Sequence, residues 1–121
     1  RFPVIYDGED LERVAQLTQL DKTDIIHRHT KVHYTVAMLG FLPYFPYLIG
    51  LDPSLHLPRL ETPRSKVPQG SVAIGGGQTG VYPCESPGGW NLIGRMDAEK
   101  LKSLEPGDKL EFFEVQNEDQ L

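Results

Sequence analysis

Apolar and polar residues follow two different periods along this chain, and then for a long middle stretch follow neither. Phe2 to Ile5 reads as a short strand, turned by Asp7-Gly8. Leu11, Val14, Ala15 and Thr18 recur at helical spacing, which predicts a helix over 11–19. Asp10 stands where an N-cap would accept a hydrogen bond from a free N–H of that helix. A second helix is predicted from Asp21 as N-cap through Asp24, Ile25 and Ile26 to about His29. Val32 to Leu39 changes to the strand period, with Val32, Tyr34, Val36 and Met38 on one face and His33, Thr35, Ala37 and Leu39 on the other.

From Gly40 the period disappears. The run Gly40 to Leu48 is too apolar for a solvated loop and too interrupted by Pro43 and Pro46 for a helix or a central strand. Such a segment must lie against its own core or against a ligand. Pro58-Arg59, Pro63-Arg64 and Lys66-Val67-Pro68 then predict an ordered, extended crossing, because each proline also pushes the residue before it toward extended geometry. Ser71 to Ile74 reads as a strand, Gly75 to Gly77 as a turn and Gln78 to Tyr82 as the return strand. Ser86-Pro87-Gly88-Gly89 reads as a turn, Trp90 to Gly94 as a strand, and Lys109 to Val115 as the last strand after the Glu105-Pro106-Gly107-Asp108 turn. Asn117 to Leu121 is expected to be a frayed, acidic end. The expected class is mainly β with two short helices.

Composition narrows this further. At 121 residues the chain fits one domain, 1–121, and its start at Arg1, inside an apparent strand, suits a piece of a longer protein. Ten of the twelve glycines and eight of the ten prolines fall between Gly40 and Arg95. That segment carries a net charge of +1 in a chain of net charge −5, which could draw in a carboxylate or phosphate. An acidic chain without a basic stripe argues against a nucleic-acid partner, and no apolar run nears the roughly 18 residues of a membrane span. The single cysteine, Cys84, rules out an internal disulfide and fits a reducing, cytoplasmic setting.

Several motifs invite chemistry. Gly75, Gly77 and Gly80 satisfy G-x-G-x-x-G, yet Val81-Tyr82-Pro83 follows where a phosphate-holding helix would have to open. A hairpin turn and a close backbone approach are expected there instead. His27, His29, His33 and His56 find no carboxylate or thiol cluster, so no metal is expected, and His29 is read as a surface or core-edge histidine. Cys84 reads as a buried inert thiol, and Ser86 as the start of a turn. Arg59 and Arg64 offer planar forks for an anion or are surface charges; Phe41, Tyr44, Phe45, Tyr47 and Trp90 line a recognition groove or are core. Gln78 and Thr79 add an amide and a hydroxyl for a polar ligand. No residue qualifies as catalytic from sequence; His29 and Glu85 are the candidate bases.

Taken in order, His29 with Tyr34, Gly40-Phe41, Phe45-Pro46-Tyr47-Leu48, Pro58-Arg59, Pro63-Arg64, Val67-Pro68, Gly70-Ser71-Val72, Gln78-Thr79-Gly80, Tyr82-Pro83, Ser86-Pro87-Gly88-Gly89-Trp90 and Gly94-Arg95 form one specific series. It resembles the family variously called KipI, allophanate hydrolase subunit 1 and the B subunit of bacterial 5-oxoprolinase (PxpB), from about Val4 to Val115. The resemblance implies the cyclophilin-like β-barrel of that family's C-terminal domain, without the N-terminal domain. It implies a subunit that is not catalytic alone, working in an ATP-dependent 5-oxoprolinase with the A subunit, a KipA-type C subunit, and no cofactor of its own. It also implies an antikinase that binds the sporulation sensor histidine kinase KinA and blocks its autophosphorylation. The alternative is a purely enzymatic subunit of a 5-oxoprolinase or urea-degrading complex. On the antikinase reading the aromatic set is the partner groove; on the enzyme-subunit reading Arg59, Arg64 and Gln78, with Thr79 beside them, are the anion or amide site. Three departures stand out: Pro43-Tyr44-Phe45 replaces Pro-Gly-Phe, the glycine-rich start shrinks to Asp7-Gly8-Glu9-Asp10, and Met96-Asp97 stands where Thr-Pro is common.

Overall fold

A computed structural model describes all residues, Arg1–Leu121. Its strands are β1 (Phe2–Val4), β2 (Tyr34–Leu39), β3 (Pro46–Ile49), β4 (Arg64–Val67), β5 (Ser71–Gly75), β6 (Gln78–Val81), β7 (Ser86–Gly88), β8 (Asn91–Arg95), β9 (Lys109–Leu110) and β10 (Phe112–Glu114). Two α-helices, α1 (Leu11–Thr18) and α2 (Lys22–Thr30), precede β2, and short 3₁₀ turns cover Pro53–Leu55, Ala98–Ser103 and Glu118–Gln120. The expected mainly β fold is thus the fold found.

An antiparallel sheet of six strands, in the order β8-β5-β6-β3-β2-β9, forms the body. A parallel β1–β10 ribbon joins it through the isolated Ile5–Arg95 bridge and through the chain running from β9 into β10. The last predicted strand is therefore two, one serving each sheet. A second ribbon, β4–β7, lies apart from the six-stranded ladder. Alternation along the strands sends Tyr34, Val36, Leu48, Val72, Ile74, Val81 and Ile93 into one core, which Leu11, Val14, Ile25 and Ile26 close from the helices. The opposite side carries a smaller cluster of Phe45, Val67, Ala73, Tyr82, Trp90 and Leu92.

Several expectations change here. Pro46 opens a strand that sits between β2 and β6, which a proline permits as first residue because the ladder does not need its N–H there. Met38 is exposed, because the β2–β3 register slips between Val36 and Met38 and turns it off the inner face. Ser86–Gly88 is not a turn but β7, recruited by β4. Asp10 stands at the N-cap position of α1 but makes no side-chain cap, whereas Asp21 caps α2 by accepting from the Asp24 N–H at 2.8 Å. The C-terminal residues form a turn, and the Glu118 carboxylate pairs with Arg95. Cys84 is exposed, not buried.

Candidate functional site

The glycines of the β5–β6 hairpin explain how the outer face is built. A β-carbon at Gly75 would meet the Trp90 ring at 2.9 Å, and one at Gly80 would meet Phe45 at the same distance. Both rings lie against bare backbone, a close approach that only glycine allows. Gly76, at φ +59°, makes the turn itself, so the apparent dinucleotide fingerprint is a hairpin between two antiparallel strands. Phe45 meets Trp90 and Tyr82 edge-on, at centroid distances of 5.6 and 5.1 Å, and Tyr47 meets Trp90 at 5.9 Å. Edge-on contacts of this kind are favoured by the ring quadrupoles.

Between this layer and the Pro58–Pro63 crossing lies a cavity of about 190 Å³, walled by Phe41, Phe45, Tyr47, Trp90 and Pro63, with Arg59 at its side. Four of the five aromatic candidates therefore line one groove. Phe45 and Trp90 are core by burial and still present an edge to the groove, whereas Phe41 is 64% exposed at its rim. Tyr44 does not join them; it borders a separate cavity with Pro43, Gln69, Pro83 and Cys84. It and Phe41 hold left-handed backbone, at φ +67° and +65°, in the short β2–β3 loop. The tyrosine thus occupies a conformation suited to glycine, at a cost in backbone strain.

The two arginines part company. Arg59 is exposed, stacks 5.6 Å from the Trp90 centroid and forms no ion pair. Arg64 is occupied: Nη1 and Nη2 donate to the Asp10 carboxylate at 2.8 and 2.6 Å, and Nε donates to Glu9 at 3.1 Å. The hydrogen bond with Asp10 leads the causes that push its guanidinium pKa up. Asp10 also accepts from the Leu92 N–H at 2.7 Å, so this pair ties α1 to β4 and β8, and Arg64 has no fork left for an anion.

Thr79 is likewise committed elsewhere. Fully buried on the inner face, its hydroxyl donates to the Ala73 carbonyl at 2.8 Å. It must therefore accept from His29 Nε2–H at 3.0 Å, which leaves Nδ1 to accept the Tyr6 O–H at 2.6 Å. His29 is completely buried, stacks on Phe112 at 4.9 Å, and is held neutral, its pKa lowered to about 3 by burial. It is a core histidine, far from the surface or core-edge residue expected, and it does not meet the groove as a base would. Gln78, by strand alternation, stands on the outer face with Gly80. Glu85 is exposed and does not line the groove. Sequence reasoning missed Tyr82 and Pro63 as groove residues, although the Tyr82-Pro83 and Pro63-Arg64 pairs were its signal; burial raises the Tyr82 phenol pKa.

With this geometry in view, a family described as carboxyltransferase domain, subdomain C and D, matches residues 1–104. The chain belongs to that family. Within the carboxyltransferase-domain family it is 57% identical over 96 residues to a Haemophilus influenzae protein named as the B subunit of 5-oxoprolinase, covering 77% of this chain and 45% of that one. A protein of the same name from Bacillus subtilis is 42% identical over 128 residues, covering 98% and 53%. Among solved structures, a conserved uncharacterized protein of Pyrococcus horikoshii superposes with TM-score 0.89 at 44% identity, covering 98% of this chain and 59% of that one. The resemblance read from the motifs is thereby shown. The chain spans about half the length of the curated relatives it matches. No helix is long and apolar enough to cross a membrane.

Proposed function

We propose that this chain is the ligand-holding part of an enzyme subunit that does not turn over alone, acting in an ATP-dependent 5-oxoprolinase with partners of the A and C kinds. The observation that carries this reading is the groove itself: apolar aromatic walls, one guanidinium free of any ion pair, and no carboxylate or histidine on its lining to move a proton. Such a site can hold and orient a small carboxylate, while groups that activate an amide carbonyl must come from elsewhere. In this reading Arg59 holds the carboxylate of 5-oxoproline, while Gln78, on the same face of the sheet but outside the groove lining, makes no contact with it, and ATP is bound by the other subunits, in the cytoplasm. The relatives' shared name supports an enzyme-complex role. Kinetics of the reconstituted complex test it: Arg59→Ala should raise the KM for 5-oxoproline about tenfold and leave the KM for ATP in place. An unchanged KM for 5-oxoproline would reject the assignment.

A second reading, the antikinase, has one observation in its favour. Of the five large apolar residues left exposed, Met38, Phe41, Tyr44 and Ile49 all lie on the β2–β3 hairpin, where they could anchor a kinase such as KinA. The relatives' names support the enzyme reading and give this one no support. An autophosphorylation assay with Phe41→Ala/Tyr44→Ala decides whether it returns: inhibition by the parent chain, lost in the variant, would restore it.

A further inference from the structure

Resting on the reading of the groove as a carboxylate site, the geometry points to its selectivity: we propose that it accepts monoanions on a compact uncharged ring and rejects zwitterions that carry an ammonium group. Five cavities open on this molecule, and the linings set one of them apart. The cavity of about 460 Å³ is bordered by Asp97, Glu99 and Glu118, that of about 260 Å³ by Glu99, and those of about 420 and 230 Å³ by Asp7 and Glu9. Only the aromatic groove has no acidic residue on its lining. Glu61, two residues from Arg59, is exposed and is not part of it.

Charge is arranged accordingly. Arg95, in two of the other cavities, is paired with Asp7 and Glu118, and Lys102 is paired with Glu99. Lys22, in a third, shares its lining with Asp7, Glu9 and Glu12. Arg59 has no such company and is held beside Trp90. A carboxylate entering the groove gains a fork of donors in a setting less hydrated than open water. An ammonium on the same small ligand would face that guanidinium and find no counter-charge within the groove, an uncompensated burial. The size agrees: about 190 Å³ between aromatic edges takes a single ring and little more. The edge-on contact of Phe45 with Trp90 shapes the cavity without any ligand in it. An enzyme that opens a cyclic amide carboxylate makes a primary ammonium as it does so, and this groove would therefore hold the ring and release the opened product.

Trp90 is the only tryptophan, so its emission reports on the groove directly. The test titrates the 121-residue chain with cyclopentanecarboxylate, proline, cyclopentylmethanol and 5-oxoproline. Cyclopentanecarboxylate should give a saturating change in emission, with proline, a five-membered ring bearing an ammonium, weaker by about tenfold or more, and cyclopentylmethanol equally weak. Arg59→Ala should remove the carboxylate response while the melting temperature stays that of the parent, and Arg59→Lys should keep part of it. Proline binding as tightly as cyclopentanecarboxylate, a response that survives Arg59→Ala, or no carboxylate response in the parent chain overturns the proposal. Binding of cyclopentanecarboxylate without 5-oxoproline would leave this selectivity standing and remove 5-oxoproline from the proposed function.

Discussion

The two faces of the six-stranded sheet solve the same packing problem in different ways. On the inner face, side chains from strands and helices interdigitate, and the polar groups they bury, the Tyr6 hydroxyl, His29 and Thr79, form a chain of hydrogen bonds that ends on the Ala73 carbonyl. On the outer face the β4–β7 ribbon contributes Val67 over the β5–β8 side, while Trp90 and Phe45 lie on glycine backbone and leave a groove toward β3. A face closed by side chains from both directions is a core and nothing else. A face closed by rings on bare backbone leaves ring edges exposed in a groove, with an arginine held beside them.

The contrast predicts different losses. Phe112→Ala, which removes the ring stacked on His29, should cost about 3–5 kcal/mol in urea denaturation and affect the whole fold. Gly80→Ala puts a methyl against Phe45 and the Pro46 carbonyl; it should cost about 2 kcal/mol and, unlike the first, also change Trp90 emission in the folded state. His29→Leu should cost about 1–2 kcal/mol at neutral pH by leaving the Tyr6 hydroxyl unpaired. Its sharper signature is in pH. Because His29 has its pKa lowered to about 3 in the folded chain, the folded state binds fewer protons than the unfolded one as pH falls from about 6.5 toward 3. The parent should lose this imidazole-linked stability through that window and the variant should not, so the gap between them should narrow on acidification and then change sign. Asp52, lowered to about 2 chiefly by the Ser54 hydroxyl, acts only below the ordinary carboxylate range and acts equally in both proteins. The smallest effect expected is on the rim: Tyr44→Gly should relieve the left-handed strain and raise the melting temperature slightly, a gain under about 1 kcal/mol. A loss of stability there would mean that Tyr44 packs more than its exposure indicates.

Local chemistry was legible wherever it acts over a few residues. Asp21 capping α2, the β5–β6 hairpin turning at Gly76, and the Glu105–Asp108 turn all follow from neighbours in sequence. Asp10 shows where such reading stops. Its position predicts a cap, but Arg64 and the Leu92 N–H, 54 and 82 residues away, take both carboxylate oxygens. Arg64 is taken from the expected anion-binding set for the same reason, and Thr79 because the strand turns it inward to His29. The 3₁₀ turn over Ala98–Ser103 was missed although Asp97 caps it and Ala98, Leu101 and Leu104 recur at its three-residue spacing.

Residue types and order along the chain were enough to set the mainly β class, the family and the segment that holds the groove, because turn geometry, strand alternation and glycine's missing side chain are local constraints. Which arginine stands free, which aromatics line the groove and which histidine is sealed in the core were decided by tertiary packing alone. Each depends on a partner brought from a distant strand, and a buried charge or hydrogen-bonding group goes to whichever partner the fold delivers.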